Sequence, residues 1–120
     1  MSLDVYLTQT TYLECKCGEV HKIKEEDVYN NNITHNLGEM AKEAGIYYHV
    51  WRPDEIDIIK ASELIKPLED ALCIMKEQPK RFKKHDSPNG WGLYENFVPW
   101  LESYLDACKD YPDSIISVSR

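Results

Sequence analysis

Nowhere in this chain do apolar residues run for the roughly 18 positions that a membrane-spanning helix requires, so no membrane partner is expected. Basic residues are also in short supply. Fourteen Lys and Arg stand against 21 Asp and Glu, a net charge of −7. Sequence-independent nucleic-acid binding needs clustered Lys and Arg to neutralise phosphates, so no nucleic-acid partner is expected. The one basic run, Lys80-Arg81-Phe82-Lys83-Lys84-His85, reads as a solvated helix end. Three catalytic signatures are missing: a Gly-rich phosphate loop, His-Glu-x-x-His and Gly-x-Ser-x-Gly. Met1-Ser2-Leu3-Asp4 lacks the charged and apolar regions of a secretory signal, which predicts a cytoplasmic location. There the four cysteines stay reduced.

Cysteine is sparse but unevenly placed. Cys15-Lys16-Cys17-Gly18-Glu19-Val20-His21 puts two thiols and an imidazole in one short segment. Thiolate sulfur and imidazole nitrogen together suit Zn²⁺, and a glycine lets the backbone turn tightly around an ion. The ligand set is incomplete, because no second Cys-x-x-Cys exists. Two readings therefore stand. Either Cys15, Cys17 and His21 hold a structural zinc with a fourth ligand such as His35 or an oxygen, or the tip carries two reduced thiols. Cys73 and Cys108 fall on or beside apolar helix faces and read as small core residues.

With 120 residues, no low-complexity segment and no linker, the chain reads as a single domain spanning 1–120. Residues 4–14 are rich in β-branched and aromatic side chains and predict a strand, with Val5 and Leu7 on one face and Tyr6 and Thr8 on the other. A second strand over 20–24, imperfectly alternating, completes a hairpin whose tip carries the thiols. Asn30-Asn31-Asn32 reads as a turn. Apolar periodicity then predicts a helix over 34–44, capped by Thr34 or Asn32 and closed by Gly45. Residues 46–51 read as a buried connector or brief strand. Further helices are predicted over 62–78, with Ser62 as cap and Pro79 as stop, and over 93–109; a terminal strand follows at 114–119. The expected fold is α+β: a small, mostly antiparallel sheet, made of the N-terminal hairpin and the C-terminal strand, covered by three helices.

Three further segments carry side chains suited to a site. Asn30 to Asn36 gathers amides, a hydroxyl and an imidazole at a helix start, where capping is the leading reading and ligand contact the minority one. Tyr47-Tyr48-His49-Val50-Trp51-Arg52 sets aromatics beside polar handles, with His49 read as a satisfied histidine at the core edge. In Asn89-Gly90-Trp91-Gly92 two glycines flank a tryptophan, which predicts a tight turn inserting the ring into the core, with ligand contact the minority reading.

Two of these stretches also carry a likeness. With Asn32-Ile33-Thr34-His35-Asn36 followed by Asn89-Gly90-Trp91-Gly92, the chain from about residue 29 onward resembles small bacterial and phage-type proteins of no assigned activity. That resemblance implies a phage or mobile-element setting and supplies no catalytic residues. The leading expectation is a non-enzymatic binding or accessory domain with zinc at its hairpin tip, facing a protein partner or small ligand. The alternative is a small enzyme whose pocket gathers His35, Asn36, Tyr48, His49 and Arg52, with both histidines on one concave site.

Overall fold

A computed structural model describes residues 2–14, 18 and 20–120, with backbone alone at 11–14 and 20–24. Strand β1 (Ser2–Glu14) pairs antiparallel with β2 (Val20–Thr34), from Ser2 opposite Thr34 to Glu14 opposite Val20. Strand β3 (Ile115–Ser119) pairs antiparallel with the other edge of β1, from Asp4 opposite Ser119 to Thr8 opposite Ile115. The order is β2-β1-β3. Leu3, Val5 and Leu7 are fully buried while Asp4, Tyr6 and Thr8 are half-buried, so helices cover one face of the sheet. The imperfect alternation near residue 20 has a cause in the pairing. Thr11 faces Lys24 and Tyr12 faces Lys22, so the ladder skips Ile23 in a bulge; Val28 is skipped in the same way.

The asparagine run is not a turn. Asn30, Asn31 and Asn32 lie inside β2, opposite Tyr6, Val5 and Asp4. Asparagine disfavours strands in general, but here the ladder with β1 pairs the backbone and two further bonds anchor the run. Asn31 Nδ2 donates to the Tyr29 hydroxyl at 3.0 Å, and the Asn32 carbonyl accepts from the Trp100 indole at 2.9 Å. Ile33, just before the predicted helix, is a buried strand residue.

The predicted helix over 34–44 divides into a 3-10 turn at His35–Leu37 and helix α1 (Gly38–Glu43). Gly45 closes it in the left-handed region at φ +73°. Its N–H reaches the Lys42 carbonyl while that of Ile46 reaches Ala41, which satisfies two terminal carbonyls. Residues 47–51 are helical, not extended: α2 (Tyr47–Trp51) is a single turn buried through Val50 and Trp51.

A 3-10 turn (Ala61–Leu64) leads into α3 (Ile65–Glu77). There the Glu63 carboxylate, not Ser62, serves the turn by accepting the Lys60 N–H at 3.2 Å. Pro79 does not only stop α3. It opens α4 (Pro79–Lys83), since a first helical position needs no N–H donor. Helix α5 (Tyr94–Asp110) starts with its Tyr94 N–H on the Asp86 carboxylate at 2.7 Å.

The expected α+β arrangement thus holds, with α1, α3 and α5 where three helices were anticipated and two short helices, α2 and α4, beside them. Leu68, Leu72 and Met75 of α3 and Phe97, Leu101 and Tyr104 of α5 close over Leu3, Val5 and Leu7 as one cluster. Each such side chain fully buried contributes ~1.5–3 kcal/mol. Cys108 joins this core, whereas Cys73 is exposed with its thiol toward Glu77 at 3.6 Å. Among the described residues no helix is long and apolar enough to cross a membrane.

Candidate functional site

Ring contacts run from helix to sheet and set the site's frame. Tyr47 stacks on Trp51 at 5.5 Å, Trp51 meets Phe97 edge-on at 6.2 Å, and Phe97 leads through Trp100 and Tyr104 to Tyr29 of β2. Two indoles in this series hold the segment between β2 and α1. Trp100 Nε1 donates to the Asn32 carbonyl at 2.9 Å, and Trp51 Nε1 donates to His35 Nδ1 at 3.0 Å. Between these anchors Thr34 caps the 3-10 turn, its hydroxyl accepting the Asn36 N–H at 3.2 Å.

The loop before α5 comes back to this segment. Asn89 Oδ1 accepts from the Ser87 hydroxyl at 2.6 Å and from the Trp91 N–H at 2.9 Å, which fixes the turn internally. Asn36 Nδ2 then donates to the Trp91 carbonyl at 2.7 Å. Directly beside this bond Gly92 takes φ +120°, and a Cβ placed on it would stand 2.9 Å from Asn36 Cβ. Only glycine suits both the conformation and the approach. The tryptophan ring does not enter the core, contrary to the reading of the loop as a core-inserting turn. Its backbone is drawn toward Asn36, and the ring stands 71% exposed.

The two motifs therefore face each other across a cleft of about 950 Å³. Its polar lining is almost wholly neutral: Ser2, Asn32, Thr34, Asn36, Asn89 and Asn96, with His35 the one ionisable side chain. Among the described residues the side-chain amides of Asn32 and Asn96 have no hydrogen-bond partner, nor has the Asn36 side-chain carbonyl. His35 in its neutral form accepts the Trp51 N–H at Nδ1, so its proton sits on Nε2.

Of the residues read as a ligand site, the fold keeps some together and separates others. His35 and Asn36 line the cleft and, with Arg52, a neighbouring recess. Tyr48 and His49 line a third recess with Lys42, Gly45 and Tyr47, which His35 does not reach. His49 is not the satisfied histidine of the sequence reading, since its Nδ1 is buried without a partner among the described residues. Burial pushes its pKa below the usual imidazole range. Arg52 donates to Glu55 at 2.6 Å, and this carboxylate pushes the guanidinium pKa upward. Asn96 and Arg120 are not legible as site residues, since Asn96 falls within a helix pattern and Arg120 reaches Asp54 across 66 positions. For Trp91, ligand contact is the minority reading of its loop.

Cys15 and Cys17 lie outside the described residues, as does the His21 side chain. Among the described residues no group of three His, Cys, Asp or Glu side chains gathers as a metal site. Comparisons with family models, curated proteins and solved structures find no match for this chain.

Proposed function

We propose that this chain is a non-catalytic binding domain whose ligand site is the cleft between Asn32–Leu37 and Asn89–Asn96, and that its ligand carries a neutral, hydroxylated ring. The observation that carries this reading is a set of side-chain amide groups, unpartnered among the described residues, that line one cleft together with an exposed indole. Asn32, Asn36 and Asn96 offer both donors and acceptors, which suits hydroxyl and carbonyl groups. Trp91 offers a flat apolar face beside them, the usual division of labour in a small-molecule site. Catalysis by His35 is disfavoured because its Nδ1 lone pair is engaged by Trp51, and because His49 lines a different recess.

The test follows the three indole N–H resonances of ¹⁵N-labelled protein during titration with a panel of nucleosides and methyl glycosides. A cleft ligand moves Trp91 and Trp100, and Trp91→Ala abolishes binding. If no member of the panel moves either resonance, this reading fails.

The zinc expectation belongs to the same proposal. Cys15, Cys17 and His21 would hold the ion at the hairpin connection and stiffen it, separately from the cleft. The likeness to phage-type proteins adds a mobile-element setting.

A further inference from the structure

Next to the motif cleft lies a recess of about 540 Å³. His35 and Asn36 line both, so the two hollows share a wall. Their chemistry differs. Three cationic side chains, Lys42, Arg52 and Arg120, and one acidic side chain, Glu39, line the recess.

Each arginine is anchored by one carboxylate outside the lining and by one residue of the lining. Arg52 Nη1 bonds Glu55 at 2.6 Å and its Nε donates to the Tyr47 hydroxyl at 3.4 Å. Arg120 uses Nη1 alone, donating to the Trp51 carbonyl and to Asp54, each at 3.0 Å. Neither Glu55 nor Asp54 lines the recess. Each guanidinium thus has its position fixed and keeps N–H donors to spare: Nη2 of Arg52, and Nε and Nη2 of Arg120. Lys42 is tied to Glu39 at 3.4 Å and lies 4.9 Å from the centre of the Tyr47 ring.

We infer that this recess is a phosphate subsite, and that the cleft ligand is a phosphorylated ring with its phosphate on Arg52 and Arg120. The planar fork of a guanidinium matches phosphate oxygens in pairs. Two forks positioned in advance by Glu55 and Asp54 lose less side-chain freedom when the anion arrives. The inference rests on the proposed cleft reading for the ring; phosphate binding alone rests on the recess.

The experiment titrates inorganic phosphate into ¹⁵N-labelled full chain in a fixed chloride background, following the Trp51 indole N–H. Parallel titrations use ribose, ribose 5-phosphate and uridine 5′-monophosphate. Phosphate is expected to shift Trp51, and Arg52→Gln and Arg120→Gln each to weaken it about five- to tenfold. Ribose 5-phosphate is expected to move Trp91 as well; a response to the monophosphate alone identifies a nucleotide. A Trp51 resonance that phosphate moves no more than chloride does overturns the subsite, and the wild-type titration decides this even if a variant misfolds. Phosphate binding with Trp91 unmoved by every ring compound leaves the subsite standing and sinks the cleft reading. Ring binding without a phosphate response does the reverse.

Discussion

The side-chain amide of Asn36 donates to the carbonyl oxygen of Trp91 at 2.7 Å, joining two segments 55 residues apart. Gly92 is the complement to that bond, because its missing Cβ is what allows Asn36 to approach. Gly92→Ala is therefore expected to destabilise the protein by more than ~1 kcal/mol, from positive φ and from contact together. Asn36→Ala should lose about 1 kcal/mol for the hydrogen bond. Urea unfolding of the two single variants and the double variant measures both. Since the residues touch, the double variant should fall short of the sum. Full additivity would mean that Gly92→Ala leaves the Asn36–Trp91 hydrogen bond undisturbed.

Trp91 and Trp100 are neighbours in the cleft with opposite expected roles. Trp91 is mostly exposed, so Trp91→Ala should change stability by no more than ~0.5 kcal/mol while removing ligand response. Trp100 is 8% exposed, so Trp100→Ala should cost about 3–5 kcal/mol. Thermal or urea melts of both variants separate a rim residue from a core residue; a large loss for Trp91→Ala would make its role structural.

Glu43 links α1 to the α4 region. It pairs with Arg81 at 3.0 Å, Lys84 at 3.2 Å and His85 at 3.5 Å. These partners, Arg81 first, lower its carboxyl from the ordinary 4.5 to about 2. A carboxyl with a depressed folded pKa stabilises above its unfolded pKa, and that contribution disappears as pH falls through the folded one. The difference in stability between wild type and Glu43→Gln should therefore be constant above pH 4.5 and shrink toward pH 2. A difference that does not vary with pH over this window would contradict the assignment.

The hairpin connection makes a separate prediction. Protein purified without chelator should carry about one zinc per chain, and Cys15→Ser/Cys17→Ser should carry none. Metal analysis of the two proteins decides it, and absence of zinc from both rejects the metal site while leaving the cleft untouched.

Legibility from sequence followed the range of the interaction involved. Leu68, Leu72 and Met75 declared the buried face of α3 because a helix repeats every few residues. Val5 and Leu7 did the same for β1, by alternation. Gly45 was readable as a helix end because its left-handed conformation is a local requirement. The Asn30–Asn32 run was misread as a turn because its partners, Asp4–Tyr6 and the Trp100 indole, lie far away in the chain. Trp91 was misread as core for a similar reason: local composition cannot tell on which side of its backbone Asn36 will stand.

The sequence by itself determined the α+β class, the buried faces of the long helices and the places of β1 and β3, with only the first third of β2, since each depends on periodicity within a few residues. Tertiary structure alone decided the site. It brought Asn36 against Trp91, turned His35 Nδ1 toward Trp51, and set Arg120 beside Arg52 while leaving His49 in another recess. Those outcomes depend on how the helices close over the sheet, and no local pattern encodes a contact between side chains that meet only after packing.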